Sequence, residues 1–185
     1  IVYELRSPLA TISLALEHFE RLDVPSTSQR RLTLAKGERD RMDRLLEEIL
    51  LYAKPLRLAA EPVDLIALAA ATVEIVQSQR PCAQRRIRLE PGRPEGQVQV
   101  LGDRDRLQQV LINLLANACE AASADATIRM SVDTSGAHRA RVRIVNPGTP
   151  PTADALARAF EPFVSAKVGG TGLGLAIVQR LVALH

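Results

Sequence analysis

Two asparagines stand one helical turn apart in the run Asp105-Arg106-Leu107-Gln108-Gln109-Val110-Leu111-Ile112-Asn113-Leu114-Leu115-Ala116-Asn117-Ala118. Neutral amides at that spacing suit a site for a cation and a polyphosphate, because an amide oxygen can ligate a hard cation without repelling phosphate. Farther along, Gly170-Thr171-Gly172-Leu173-Gly174-Leu175-Ala176 lets the backbone approach a ligand closely. A helix opened by such a turn points N–H donors and its positive dipole end at an anion. Near the other end, Tyr3 and Glu4 put a phenol beside a carboxylate. A phenol attacks only after losing its proton, and full transfer to a carboxylate spans roughly six pKa units, or about 8 kcal/mol. The phosphate side is well supplied; the nucleophile is poor.

Four motifs in a fixed order turn these residues into a resemblance. Tyr3-Glu4-Leu5-Arg6-Ser7-Pro8-Leu9 resembles the phosphoacceptor box of the sensor histidine kinases, with tyrosine where the family carries its acceptor histidine. The run from Asp105 to Ala118 is similar to the family's asparagine box, Phe160-Glu161-Pro162-Phe163 to its phenylalanine box, and Gly170 to Ala176 to its second glycine box. Val145-Asn146-Pro147-Gly148-Thr149-Pro150 occupies the place of the first glycine box, normally Asp-x-Gly-x-Gly. A lone glycine-rich hexamer carries little weight; this ordered set covers nearly the whole chain.

The resemblance implies ATP and magnesium as cofactors. Asn117 is then the magnesium ligand and Asn113 lines the same pocket. Members of the wider superfamily that hydrolyse ATP carry a glutamate at the position of Asn113; an amide cannot take a proton from water, so transfer to a protein acceptor is favoured over hydrolysis. Asn146 and Gly148 would meet the adenine, and Gly170, Thr171, Gly172, Leu173 and Gly174 the phosphates. Lys167 is the lid cation closest in sequence to them, and Phe160 and Phe163 are expected to anchor the lid to the core. Asn146 replaces a charged acceptor with a neutral one, and Glu120 stands where many members carry a phosphate-reaching lysine. In the acceptor box Glu4 is the assisting acid, and Ser7 takes the place linked to phosphatase action.

The elements that would carry these residues follow from periodicity. Leu5, Leu9, Ile12, Leu16 and Phe19 recur at steps of four and three, a narrow apolar seam interrupted by Pro8, which favours a kink. A turn at Asp23-Val24-Pro25 leads to a second helix, for which Ser26 and Gln29 make a candidate capping box and Met42, Leu45, Ile49 and Tyr52 repeat the seam. Such a helical hairpin leaves apolar surface unless a second copy completes a four-helix bundle. Asp64 can cap a helix to about Gln79, and strand-like alternation follows at Ile87/Leu89, Val98/Val100, Ile128/Met130/Val132 and Val142/Ile144. Polar Asp133 to Gly136 suggests a hairpin between the last two strands. Helices near 104–122 and 172–184 complete a helix-on-sheet layer.

The expected architecture is multidomain, α then α+β. Residues 1–54 form a dimerising and phosphoacceptor hairpin and 55–63 a linker. Residues 64–185 form a two-layer α/β sandwich ATP-binding domain that lacks the family's C-terminal strands. The resemblance also implies a fragment of a longer sensor, a homodimer, a response regulator receiver domain as partner, and a cytoplasmic place, with the parent protein a candidate for membrane anchoring. Aromatic residues make up only 3% of the 185 and the net charge is +3, which gives nucleic acid little to stack on. Cys82 and Cys119 show neither metal-ligand spacing nor a disulfide framework, a pattern that fits a reducing cytosol.

Tyr3 leaves three accounts open: an engineered acceptor variant, a natural degenerate member that signals by conformation, or a tyrosine-phosphorylating one, which the proton cost disfavours. His18, His138 and His185 are expected to be structural or exposed rather than substitutes for the missing acceptor. The expected function is therefore the core of a histidine kinase with impaired autophosphorylation. A non-catalytic pseudokinase scaffold that binds ATP and recruits a response regulator is the alternative.

Overall fold

The computed structural model describes residues 2–22, 25–53, 55–79, 82–90, 97–134, 139–165 and 170–185, with side chains from Arg6 onward. The chain divides into two compact units, Ile1–Pro55 and Leu56–His185.

The first unit is a helical hairpin of α1 (Val2–Glu20) and α2 (Ser26–Ala53). Helix α1 runs on through Pro8, and the hydroxyls of Thr11 and Ser13 donate to the carbonyls of Ser7 and Leu9 one turn back. Leu9 and Leu46 are the residues buried between the helices, each 5% exposed. Of the expected α2 seam, Leu45, Ile49 and Tyr52 are half-buried and Met42 is not. Met42 is 51% exposed, and Leu32, Lys36, Arg39, Asp43, Leu46 and Leu50 are buried or half-buried at alternating steps of four and three. Charged residues fill that face because they pair: Lys36 with Glu20 of α1, and Arg39 with Asp40 at 3.1 Å and Asp43 at 3.8 Å. Their aliphatic stems cover apolar surface while the heads stay solvated. The expected capping box also gives way. Ser26 is already inside α2, and the Pro25 carbonyl accepts from the N–H groups of Ser28 and Gln29. Asp23 and Val24 of the expected turn lie outside the described residues.

In the second unit, helices cover one face of a three-stranded sheet. β2 (Arg86–Glu90) pairs in parallel with β4 (Thr127–Thr134), which pairs antiparallel with β5 (Ala140–Val145). The β4–β5 hairpin was expected; the tip of its turn, including His138, lies outside the described residues. On β4, Ile128, Met130 and Val132 alternate inward and are buried. Against them pack α3 (Leu65–Gln77), through Leu68, Ala69, Thr72 and Val76, and α4 (Arg104–Ala121), through Leu111, Leu115, Ala118 and Cys119. α5 (Ala153–Ala157) is short, and α6 (Gly174–Leu184) packs on α4. Asp64 caps α3 as expected, accepting from Ile66 N at 2.9 Å and Ala67 N at 3.2 Å.

An unexpected strand, β1 (Glu61–Asp64), begins inside the expected linker and pairs antiparallel with β3 (Gln99–Gly102). Four residues including Pro62, with a partner nearly forty positions away, carry too little local pattern to announce a strand. Between α3 and β2, Gln77 replaces regular structure: its amide donates to the carbonyls of Cys82 (3.1 Å) and Arg85 (2.6 Å) and accepts from Ile87 N (3.2 Å).

The cysteine expectation is overturned. Cys82, in a 3₁₀ turn at Cys82–Gln84, and Cys119, in the last turns of α4, form a buried disulfide across 37 positions. Neither spacing nor composition signals the pair, because the fold rather than the sequence brings the two Cα atoms to 5.2 Å.

The start of α4 is fixed just as firmly. Asp103, 8% exposed, accepts from Arg106 N at 3.1 Å as its cap and from Ala59 N at 3.0 Å. Its own N–H donates at 3.0 Å to His185 Nε2, so that ring carries its hydrogen on Nδ1, 2.7 Å from the Leu181 carbonyl. The Ala59 N–H, helped by the Arg106 N–H and guanidinium and opposed by burial, holds the Asp103 carboxyl below its ordinary value.

Two outcomes follow. Reducing the Cys82–Cys119 bond removes a constraint on a long loop and should lower the unfolding free energy by about 2–4 kcal/mol in urea. Alkylation of the unfolded, unreduced chain should label no thiol; two labelled thiols would contradict the bridge. Asp103→Ala should cost about 1–2 kcal/mol near neutral pH. A depressed carboxyl stabilises above its unfolded pKa, so the gap between variant and parent should close as pH falls below about 4. A gap independent of pH would contradict the anionic cap.

Candidate functional site

Helix α4 exists because Leu107, Val110, Leu111, Leu115 and Ala118 form one apolar stripe, and the helix is stopped by Ala122 in extended conformation. Leu107 and Leu114 are half-buried, and Cys119 joins the buried part of the stripe. Asn113 and Asn117 flank the stripe, half-buried. The Asn113 side-chain nitrogen donates to the Gly174 carbonyl at 3.3 Å, and its oxygen accepts from Gln109 Nε2 at 2.9 Å. The amide helix and the glycine turn are thereby joined. Asn117 lies one turn farther along the same edge.

The glycine turn is held from its other side by backbone. Phe163 N donates to the Gly172 carbonyl at 3.1 Å. Gly172 has φ +70°, and a Cβ there would lie 2.5 Å from the Phe163 carbonyl carbon, so only glycine fits. Thr171 Oγ1 accepts from Leu173 N at 3.3 Å, which satisfies one donor at the opening of α6. Leu173 is fully buried and seats the turn, while Gly170 is exposed. The remaining first-turn N–H groups of α6 supply the anion-directed donors the sequence suggested.

Phe160 and Phe163 do not anchor the lid by their rings, which contradicts the expectation. They are 45% and 63% exposed. Phe163 instead takes φ +64°, an unusual left-handed geometry that turns its backbone N–H onto the glycine turn. Lys167 lies outside the described residues.

The third strand of the site is the segment after β5. Gly148 lies so close to the end of α4 that a Cβ would be 2.8 Å from the Ala121 carbonyl oxygen. Asn146 is half-buried, with its amide nitrogen 3.4 Å from the Pro147 carbonyl, a long local bond. Glu120 is exposed near the end of α4. Thus α4 meets the 170–174 turn at Asn113 and the 146–148 segment near Ala121, and the side-chain amides of α4 with the backbone N–H groups of the turn are of a kind that fits a magnesium-bound polyphosphate.

In the hairpin, Ser7 is exposed on α1, and its carbonyl accepts from Thr11. Tyr3 and Glu4 fall on α1, but their side chains lie outside the described residues. Among the described residues no group of three or more His, Cys, Asp or Glu is placed to hold a metal. Sequence reasoning missed Gln109, Asp103 and the Phe163 backbone; only Asp103, an acid just before a periodic stripe, carried a readable cap signal.

Comparisons with known proteins bear on this arrangement. Residues 102–185 match the family model of histidine kinase-, DNA gyrase B-, and HSP90-like ATPases. The whole chain is similar to the sensor histidine kinase ZraS of Klebsiella oxytoca, 32% identical over 186 residues that make up 40% of that protein. It is also similar to the signal transduction histidine-protein kinase AtoS of Escherichia coli (strain K12), 28% identical over 185 residues and 30% of that protein. Among solved structures, full-length ShkA in complex with AMPPNP matches with a TM-score of 0.80 at 28% identity, over 98% of this chain and 39% of that one. Histidine kinase ThkA in complex with response regulator protein TrrA matches with a TM-score of 0.70 at 26% identity, over 96% of this chain and 51% of that one. The chain spans about two fifths or less of the curated relatives named here.

Asn146→Asp should strengthen nucleotide binding about tenfold, since a charged acceptor bonds more strongly than a neutral one. Titration calorimetry with ATP checks this; an unchanged affinity would reject the neutral-acceptor argument.

Proposed function

Because the chain belongs to the sensor histidine kinase family, we propose that it is a catalytic core whose own autophosphorylation is impaired at Tyr3. The acceptor hairpin belongs to residues 1–54 and the ATP-binding domain to 64–185, which β1 extends back to Glu61 and so shortens the joining segment. The observation that carries the reading is the Asn113–Gly174 bond, which puts an amide-bearing helix edge and a helix-opening glycine turn side by side. The AMPPNP-bound neighbour supports a nucleotide as the occupant.

In this reading Asn117 holds magnesium, which when bound neutralises phosphate charge and orients the terminal group. The first-turn N–H groups of α6 and the turn at 170–174 bind the phosphates, with Thr171 and Lys167 beside them. Asn146 accepts a hydrogen bond from the adenine amino group, and Gly148 keeps that segment close to α4. Asn113 leaves no general base for water, so hydrolysis is suppressed. Glu4 would take the acceptor's proton and Ser7 would orient a water for the reverse, phosphatase reaction. A phenol at position 3 raises the cost of the first transfer by about 8 kcal/mol if its proton must leave completely, which is enough to stop it.

The hairpin exposes Leu14, Phe19, Leu34 and Met42, at 68%, 52%, 64% and 51%. This apolar surface supports a homodimer closed as a four-helix bundle. The ThkA–TrrA complex supports a response regulator receiver domain as the partner. No described helix is long and apolar enough to cross a membrane. We assign the core to the cytoplasm, as part of a sensor whose remaining segments set any membrane attachment. The second reading, a pseudokinase scaffold that binds ATP and recruits a regulator without phosphorylating itself, is favoured by the same residue, Tyr3.

Incubation with radiolabelled ATP should give no acid-labile phosphoprotein, and Tyr3→His should restore it. Robust labelling of the chain with Tyr3 would refute the impairment. ATP binding without labelling in either form would favour the scaffold.

A further inference from the structure

We propose that Gln109 is a positioning residue of the nucleotide site, one that orients the Asn113 amide so that α4 fastens the glycine turn through Gly174. The inference rests on reading this site as nucleotide-binding, and it gives a role to Gln109, which the run from Asp105 to Ala118 contains without assigning one.

The Gly174 carbonyl can only accept, so Asn113 must present its NH₂ group to it, at 3.3 Å. The Asn113 oxygen then faces the opposite way, where Gln109 Nε2 donates to it at 2.9 Å. Gln109 and Asn113 are four apart on one helix face, the spacing at which such side chains meet. A flipped Asn113 would set its oxygen against the Gly174 carbonyl and its NH₂ against the Gln109 donor. Gln109 could turn to accept, but the clash at Gly174 would remain. The chain Gln109 to Asn113 to Gly174 therefore has one consistent direction, and each bond polarises the next.

This division of labour separates the two asparagines. Asn113, its oxygen held by Gln109, acts by fixing where α6 begins, and the magnesium role stays with Asn117 as proposed above. Because Gly174 is the first residue of α6, that bond sets the aim of the N–H groups at the helix start. Phe163 holds the same turn from the lid side by its backbone, at Gly172. Without Gln109 the Asn113 tether loosens, while the Phe163 bond to Gly172 remains.

The test compares Gln109→Met, which keeps length but loses the donor, with Gln109→Lys, which keeps a donor, in the full chain. Hydrogen exchange without nucleotide should be faster by about threefold or more across residues 170–176 in Gln109→Met, with the melting temperature nearly unchanged, and restored in Gln109→Lys. ADP affinity should fall about three- to tenfold in Gln109→Met, equally with magnesium and with a chelator present. Asn113→Ala should reproduce both effects, and the double variant should be no worse than either single one. Asn117→Ala should instead lose affinity only where magnesium is present. Unchanged exchange at 170–176 in Gln109→Met, full additivity with Asn113→Ala, or a loss confined to magnesium would overturn the assignment. If the unsubstituted chain binds no ADP at all, the nucleotide reading fails, and so does a positioning role for that site. The exchange data then report only whether the bond exists.

Discussion

The hydrogen bond from the Asn113 amide to the Gly174 carbonyl joins the two halves of the candidate site, and its geometry depends on α4 not moving. The helix is held at each end. At its start Asp103 caps the first turn, reaches back to Ala59, and receives α6 through His185. At its end Cys119 is bridged to Cys82, and the carbonyl of Ala122 accepts from the Arg85 guanidinium at 2.9 Å. Between these points the apolar stripe presses α4 onto β4. Asn113 and Asn117 thus sit on a beam fixed at both ends. Such rigidity lets a weak, partly exposed bond still set the position of a glycine turn.

The catalytic domain and the acceptor box lead to different conclusions. Leu56–His185 keeps much of what a nucleotide site needs, with Asn146 and Glu120 as departures from the family's pattern. The amides, the glycine turn and its left-handed Gly172 are all in place. The acceptor box keeps its flanking residues but presents a phenol. Proton affinity, not shape, separates tyrosine from histidine here: a neutral imidazole has a lone pair ready, whereas a neutral phenol does not. A chain built in this way can retain nucleotide-dependent conformations while losing the chemical output, and that combination makes the scaffold reading a serious rival.

The sequence made the site more legible than its supports. The α4 stripe, Asp64 as a cap, the β4–β5 hairpin and the glycine-turn helix could all be read because their signals are local, through periodicity, capping chemistry and turn composition. What escaped depends on distant partners. Strand β1 is defined by pairing with β3, and the Cys82–Cys119 bridge by an approach of segments 37 positions apart. Phe160 and Phe163 were misassigned because aromatic rings are usually buried, whereas here the working contact is a backbone N–H. The packed face of α2 was misjudged in part because Lys36, Arg39 and Asp43 looked solvent-facing by charge, although interhelical and neighbouring pairs hold them on that face.

The central claim is that nucleotide binds between the α4 edge and the turn at 170–174. Backbone amide NMR shifts during titration with magnesium and ATP test it most directly. The account predicts the largest changes at residues 113–117, 146–148 and 171–175, with the hairpin helices little affected. Saturable binding whose shifts avoid all three segments, or no binding at millimolar ATP, would contradict it.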